Sequence, residues 1–509
     1  MAMLTSLLIS LSLCTLTVCG FLVASAAMAH WFVVPVWFCG VLIGRDAVDW
    51  FRNRLSLFDP AGIIGLIGVH FFFLAPLLHV AWDSWMLYVE PPPDWRPWLG
   101  GMAVVNAAGL LLYRAARERG RRGRPGAAGA VGRELDTTKL LFVAGCGMAV
   151  SGGLQVWVYA THGGILGYVD AFTESVGLPV AQTAFAGMGW IFTLSESFPI
   201  LAMLAFAVVA RRMRIGRTWA VILAVLIGYF ALKLLFGGLR GNRSNTIWGL
   251  FWAVGIIHLW VRPLSKRLII AGLCVLVAFM YLYGFYKGLG RDVVAVYEAG
   301  ALDEVGQKLD RTFKGLVLGD LGRADVQAFL LYRLSRPDRD YTYAWGRTYL
   351  GTAAMLIPRR IWPERPPTKV LEGTEAQTGV GSYDEETWVS SKVYGLAGET
   401  MLNFGPLPVV VAYLVFGAVV GRLQRFHSRL HPGDARLLAY PFVLNLCFTV
   451  LLNDSDVLLF MLIKDGLVPL SVLWFASRVV TRGDAAESDA RPLAFLAARA
   501  GDPSGREPA

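Results

Sequence analysis

The stretch Leu268–Tyr286 reads LIIAGLCVLVAFMYLYGFY and carries no charged side chain. An apolar run of roughly 20 residues crosses the hydrocarbon of a bilayer as a helix. At Lys287 the character changes, and to about Tyr394 the chain is rich in charges, prolines and turn signals. Apolar sequence resumes with Gly398-Glu399-Thr400-Met401-Leu402-Asn403-Phe404-Gly405. The chain therefore reads as a membrane protein with one large extramembrane insert.

Outward from that run the same pattern recurs. About twelve stretches have the length and apolarity of a span: 3–23, 27–44, 60–80, 98–114, 138–159, 188–210, 219–238, 245–261, 268–286, 398–421, 437–452 and 457–477. Charged residues make up 17% of the 509, against about a quarter in soluble domains. Met1–Val23 lacks the basic start of a secretory leader, and a second run follows at once, so it reads as the first span. The expectation is an all-α integral membrane protein. Spans one to nine fill 1–286, the outer loop 287–397, spans ten to twelve 398–480, and a disordered tail 481–509.

Basic residues orient the bundle, because cytoplasmic connections collect Lys and Arg. Arg45, Arg52 and Arg54 follow the second run, and six arginines from Arg114 to Arg124 follow the fourth. Arg211, Arg212, Arg214 and Arg217 follow the sixth, Arg262, Lys266 and Arg267 the eighth, and Arg422, Arg425 and Arg429 the tenth. The alternate connection 160–187 has no basic residue. Both termini are thus expected in the cytoplasm and the insert outside. The net charge of +10 is accounted for by topology, without nucleic acid. The Gly/Ala/Arg-rich segment Arg114–Arg133 reads as a mobile loop.

All six cysteines lie in apolar runs, which argues against a disulfide framework and a thiol nucleophile at the outer face. His70 and His79 fall on opposite helix faces, and no metal site is visible. Within the insert, Ala324–Leu334 has helical apolar spacing and Pro337 stops it. Tyr349–Ile357 is too short to span, and Trp345, Tyr349 and Trp362 suit the headgroup level. The insert is expected to lie along the membrane surface. Asn242-Arg243-Ser244 and Asn453-Asp454-Ser455 match a glycosylation sequon, a pattern that is frequent by chance.

Four groups are candidates for chemistry. Arg240 and Arg243 sit in the tight outer connection Leu239–Asn245, against the inside bias for basic residues. Guanidinium grips phosphate bidentately, although an anchor to lipid headgroups is the plainer reading. Arg291, Arg359 and Arg360 are further outer-face cations that surface ion pairs would also explain. Glu399 opens the tenth run, where the helix dipole favours a carboxylate in any case. Partial burial would raise its pKa and suit it to general base work. Glu196, Lys233, Lys464 and Asp465 lie inside spans and must find partners there. Glu196 with Lys233, and Asp465 with an arginine, are the expected pairs, either structural or lining a pathway.

Several stretches together resemble a family. They are the outer-loop arginines, Trp345-Gly346-Arg347-Thr348-Tyr349, Ile357-Pro358-Arg359-Arg360-Ile361-Trp362-Pro363-Glu364-Arg365-Pro366 and Gly398–Gly405. They resemble the oligosaccharide repeat-unit polymerases, the Wzy-type O-antigen and exopolysaccharide polymerases of bacteria, from about the fifth run to the eleventh. The resemblance implies a glycosyltransferase of GT-C-like fold, related to the O-antigen ligases, in the bacterial inner membrane. Its substrate would be oligosaccharide on undecaprenyl diphosphate, with neither cofactor nor metal. A flippase and a chain-length regulator would be its partners, besides membrane lipids. It carries diphosphate binding to Arg240 and Arg243, and to Arg291, Arg359 and Arg360. Glu399 stands beside the family's Asn-Phe-Gly, here Asn403-Phe404-Gly405, and Trp362 falls in the Pro-rich motif. A ligase and a transporter are the rival readings.

Overall fold

The computed structural model describes residues 2–86, 89–122, 131–176, 178, 183–213, 218–241, 243–301, 304–306, 312–337, 340–357, 361–384 and 392–481. Among them ten helices are long and apolar enough to cross a membrane. The chain is a mostly helical, polytopic membrane protein.

The first four helices are α1 (Ala2–Ala24), α2 (Val33–Phe51), α3 (Pro60–Trp82) and α4 (Arg96–Arg122). A strand, β1 (Val131–Leu135), precedes α5 (Thr137–Thr161) and the short α6 (Gly164–Glu174). Then come α7 (Gly189–Met213), α8 (Trp219–Arg240), α9 (Arg243–Val261) and α10 (Lys266–Glu298). The insert contributes α11 (Ala324–Ser335), α12 (Arg347–Ala354) and α13 (Lys369–Thr378). The chain continues through α14 (Gly395–Phe404), α15 (Val409–His427), α16 (Arg436–Leu452) and α17 (Ser455–Phe475), and β2 (Ser477–Thr481) follows.

Two of the expected runs fall outside the ten. Helix α16 has only 17 residues. The second half of α2 carries Arg45, Asp46 and Asp49, a charge load the apolar first half concealed. Asp46 is buried and takes two bonds from Arg117 of α4, at 2.5 and 3.0 Å. Asp49 accepts from Ser6 of α1 at 2.6 Å. These charges are spent inside the bundle.

Helices α4 and α15 form the most extensive helix pair. A side chain at Gly417 or Gly421 would run into the backbone carbonyls of Tyr113 and Arg117 respectively. Without water to drive apolar association, such close small-residue packing holds helices together in lipid. Cys39, Tyr113, Trp252, Tyr413 and Phe442 belong to the main buried cluster beside them.

The structure corrects four expectations. The run 398–421 is two helices, because Gly405 turns at φ 84 and Pro406 and Pro408 cannot donate to a continuing helix. Arg114–Arg122 is not loop but the end of α4, where Glu118 bonds Arg121 and Arg122. The fold is not purely α: β1 pairs antiparallel with β2, with Glu134 opposite Arg478. The β-branched Val479 and Val480 favour that strand. Finally, the insert does not simply lie along a surface. Helix α11 is buried from Ala324 to Leu331 and packs on α3, α4, α13 and α14. The tail expected to be disordered falls outside the described residues, except for Thr481, which ends β2.

Candidate functional site

Helix α14 begins where Asp454 Oδ1 accepts the amides of Tyr394 and Gly395, at 2.9 and 2.8 Å. Asp454 thus satisfies helix-start donors that its own chain neighbours cannot. Its other oxygen meets Lys369 Nζ of α13 at 2.6 Å. One turn into α14, Glu399 is 3% exposed. Oε1 accepts from Thr348 Oγ1 at 2.9 Å and Ser455 Oγ at 2.6 Å, and Oε2 accepts from Ser455 N at 2.7 Å. Burial and the neighbouring Asp454 charge push the Glu399 carboxyl up to about 7, against the pull of the Ser455 and Thr348 bonds. It is a carboxylate that changes charge near neutrality.

Asn403 lies one turn further and is fully buried. Its Nδ2 donates to Thr348 Oγ1 at 2.7 Å and to the Glu399 carbonyl at 2.8 Å. Its Oδ1 accepts Gly346 N at 2.9 Å, and its carbonyl accepts Trp345 N at 2.9 Å. This holds Trp345 at φ 50, a left-handed backbone that costs a bulky residue free energy. The indole is left 75% exposed, with Phe404 and Tyr343 rings beside it. Asn403 is therefore a positioning residue for the α12–α14 junction.

The arginines divide. Arg243, at the start of α9, makes a bidentate pair with Asp320 of the insert: Nη1 to Oδ2 is 2.7 Å, and Nη2 bonds Oδ1. Arg240 turns inward instead, bonding Glu196 Oε1 at 2.6 Å with its guanidinium over the Phe192 ring. Arg291 is exposed and paired with Asp170. Trp362 is exposed, with no ring contact among the described residues. Arg365 caps α12, donating to the carbonyls of Met355 and Ile357 at 3.1 and 2.9 Å. Arg359 and Arg360 lie outside the described residues.

Inside the bundle, Glu196 also meets Lys464 Nζ at 2.6 Å and Asn245 Nδ2 at 2.7 Å. Lys233 donates to Asn245 Oδ1 at 2.8 Å and lies 3.9 Å from Asp465. The pairing thus differs from the expected one: Glu196 takes Arg240 and Lys464, and the cation nearest Asp465 is a lysine. Helix α7 is interrupted at Glu196–Ser197, and α17 widens to a π turn at Leu462–Gly466, beside a small cavity.

Sequence reading missed the residues that join these groups. Asp320, Arg323 and Lys369 stood in no motif, and Thr348 entered only within Trp345–Tyr349, with no role assigned to it. Asn453-Asp454-Ser455 passed for a chance sequon, yet Asp454 and Ser455 bond α14 and Glu399 directly. Arg323 lies in the electrostatic field of Asp454, Asp320, Asp325 and Arg243. Through it the Arg243–Asp320 pair and the Asp454–Glu399 group form one charged neighbourhood. Among the described residues no three His, Cys, Asp or Glu side chains cluster as metal ligands.

No family model, no curated protein and no solved structure matches the chain.

Proposed function

We propose that the chain is a membrane glycosyltransferase of GT-C-like fold that polymerises oligosaccharide repeat units carried on undecaprenyl diphosphate. It works at the outer face of the bacterial inner membrane, with both termini in the cytoplasm. One observation carries the reading. Arg243, a bidentate anion grip, and Glu399, a carboxyl poised near 7, share one neighbourhood through Arg323 and Asp454.

The chemistry follows from those groups. The acceptor hydroxyl oxygen bonds to the anomeric carbon of the donor, and the bond from that carbon to the diphosphate oxygen breaks. Charge gathers on the leaving lipid diphosphate, where fixed guanidinium groups stabilise it by a few kcal/mol each. The acceptor proton passes to Glu399. Because that carboxylate is enclosed, the path runs over Ser455 Oγ, itself 2.9 Å from Thr352 Oγ1. A positioned base of this kind contributes about 10²–10⁴-fold. Arg240, occupied by Glu196, supports the loop instead of gripping substrate.

Purified protein given lipid-diphosphate repeat units should build a ladder of longer chains without added metal. Arg243→Gln and Glu399→Gln should each abolish the ladder while the protein remains monodisperse. A fully active Glu399→Gln variant, or inhibition by EDTA, would sink the mechanism.

The charged network of Glu196, Lys233, Arg240, Lys464 and Asp465 favours a second reading. Ionisable groups at interrupted helices inside a membrane mark ion or substrate paths in transporters. A transporter would move its cargo across a sealed vesicle and return it chemically unchanged.

A further inference from the structure

Far from the insert, α2 and α4 end in arginines that their neighbours leave incompletely bonded. Arg114 of α4 gives Nη1 to the Leu42 carbonyl of α2 at 2.7 Å, while its Nη2 is buried with no hydrogen-bond partner among the described residues. Arg45 Nε of α2 is buried and unbonded in the same way. Asp49 stands 3.8 Å from it and is already engaged by Ser6 and Arg54. Asp46, the other nearby carboxylate, is held bidentately by Arg117. Buried donors normally find partners, and here two guanidinium groups on adjacent helices each keep one unfilled.

An apolar groove between the same two helices leads to them, lined by Trp31, Val34, Trp37, Phe38, Val104 and Ala107. The helices run in parallel, since Cys39 meets Ala103, Leu42 meets Arg114 and Asp46 meets Arg117. Helical spacing sets Val34, Phe38 and Arg45 on one face of α2, and Ala107, Leu111 and Arg114 on one face of α4. Val34, Val104 and Leu111 are exposed, so the groove opens towards lipid. From Val104 to Arg114 the helix rises about 15 Å, half of a hydrocarbon core roughly 30 Å thick. The groove thus has the length of one leaflet, with cations where a phosphate would lie. Arg45, Arg52, Arg54, Arg114 and Arg117 outnumber Asp46 and Asp49 there, so positive charge is in excess.

We propose that an anionic phospholipid occupies this groove, with one acyl chain along Phe38 and Val104 and its phosphate on Arg45 and Arg114. Basic pockets between membrane helices select acidic headgroups in this way. A zwitterionic lipid offers the same chain and phosphate but carries an ammonium into a basic cluster. The plain alternative is that the arginines only reach for water at the bilayer edge, but a hydrated guanidinium would not keep its nitrogens buried and unbonded. The site is independent of the polymerase reading.

The full chain, stripped of lipid in detergent, would be given phosphatidylglycerol, phosphatidylethanolamine with the same chains, or glycerol 3-phosphate as a headgroup without a chain. Bound lipid is counted by native mass spectrometry, and the melting temperature is followed alongside. One phosphatidylglycerol should stay on each chain and raise the melting temperature above that with phosphatidylethanolamine. Arg45→Gln should weaken its binding about tenfold, the loss of one charge-assisted contact, without lowering the lipid-free melting temperature. Arg45→Lys should keep most of the preference for the acidic lipid. Val104→Trp fills the groove from an exposed position, leaves the arginines in place, and should also weaken binding. The proposal falls if the two lipids bind equally, if Arg45→Gln keeps the preference, or if Val104→Trp binds as the unmodified protein does. It falls too if glycerol 3-phosphate protects as well as the lipid, which would make this a site for a soluble anion.

Discussion

At the scale of a residue, Glu399 shows how enclosure and hydrogen bonding contend for one proton. Three donors favour its charged form, while burial and Asp454 favour the neutral one, with a balance at about 7 against an ordinary 4.5. Between those values the folded protein holds a proton that the unfolded chain has released. Stability therefore falls as pH rises through that window, by up to about 3 kcal/mol, and levels off above it. Glu399→Gln should flatten this slope in denaturation measured across pH 4 to 8. Ser455→Ala removes a donor that stabilises the carboxylate, so the midpoint should move above 7. If Glu399 is the base and Ser455 carries the proton to it, the Ser455→Ala rate should also fall, and the acid limb of the residual activity should move upward with the midpoint. An unshifted limb would assign the base elsewhere. The position of Glu399 was legible as a carboxylate near a helix start, but its partners were not. Thr348 and Ser455 reach it across long sequence separations, and no local pattern announces such a meeting.

At the scale of elements, hydropathy located the helices well and their ends poorly. Leu268–Tyr286 lies within α10, and the helical spacing of Ala324–Leu334 reappears as α11. For the insert the cause of the misreading is that apolar content does not distinguish burial in protein from burial in lipid. The short run Tyr349–Ile357 and the aromatics Trp345, Tyr349 and Trp362 point to an insert laid along the membrane surface, whereas its helix α11 packs against four helices. The α4–α15 contact offers a sharp test. Gly417→Val sets a branched side chain against the Tyr113 carbonyl, and overpacking of this kind costs about 1–3 kcal/mol or more. The melting temperature should fall, with the helices pushed apart. Arg117→Met leaves Asp46 buried without its partner and should cost about 3–5 kcal/mol. Asp46→Asn in that background should recover part of the loss; failure to recover would show that the pair is not what holds α2 to α4.

At the scale of the molecule, the small sheet closes the chain on itself. Arg478 pairs with Glu134 across 344 residues, and Ala435 N bonds the Arg133 carbonyl nearby. Sequence reading had no means to find this, because five-residue strands in Arg-rich connections look like linkers. Its consequence lies in the order of synthesis. At roughly 5–20 residues per second, β1 waits about 20–70 s for β2 to leave the ribosome. During that time the first helices are in the membrane with an open strand edge and with Asp136 N lacking the Ala476 carbonyl that will accept it. The nascent protein is thus a half-closed clasp, which fastens only when the last helix has been delivered.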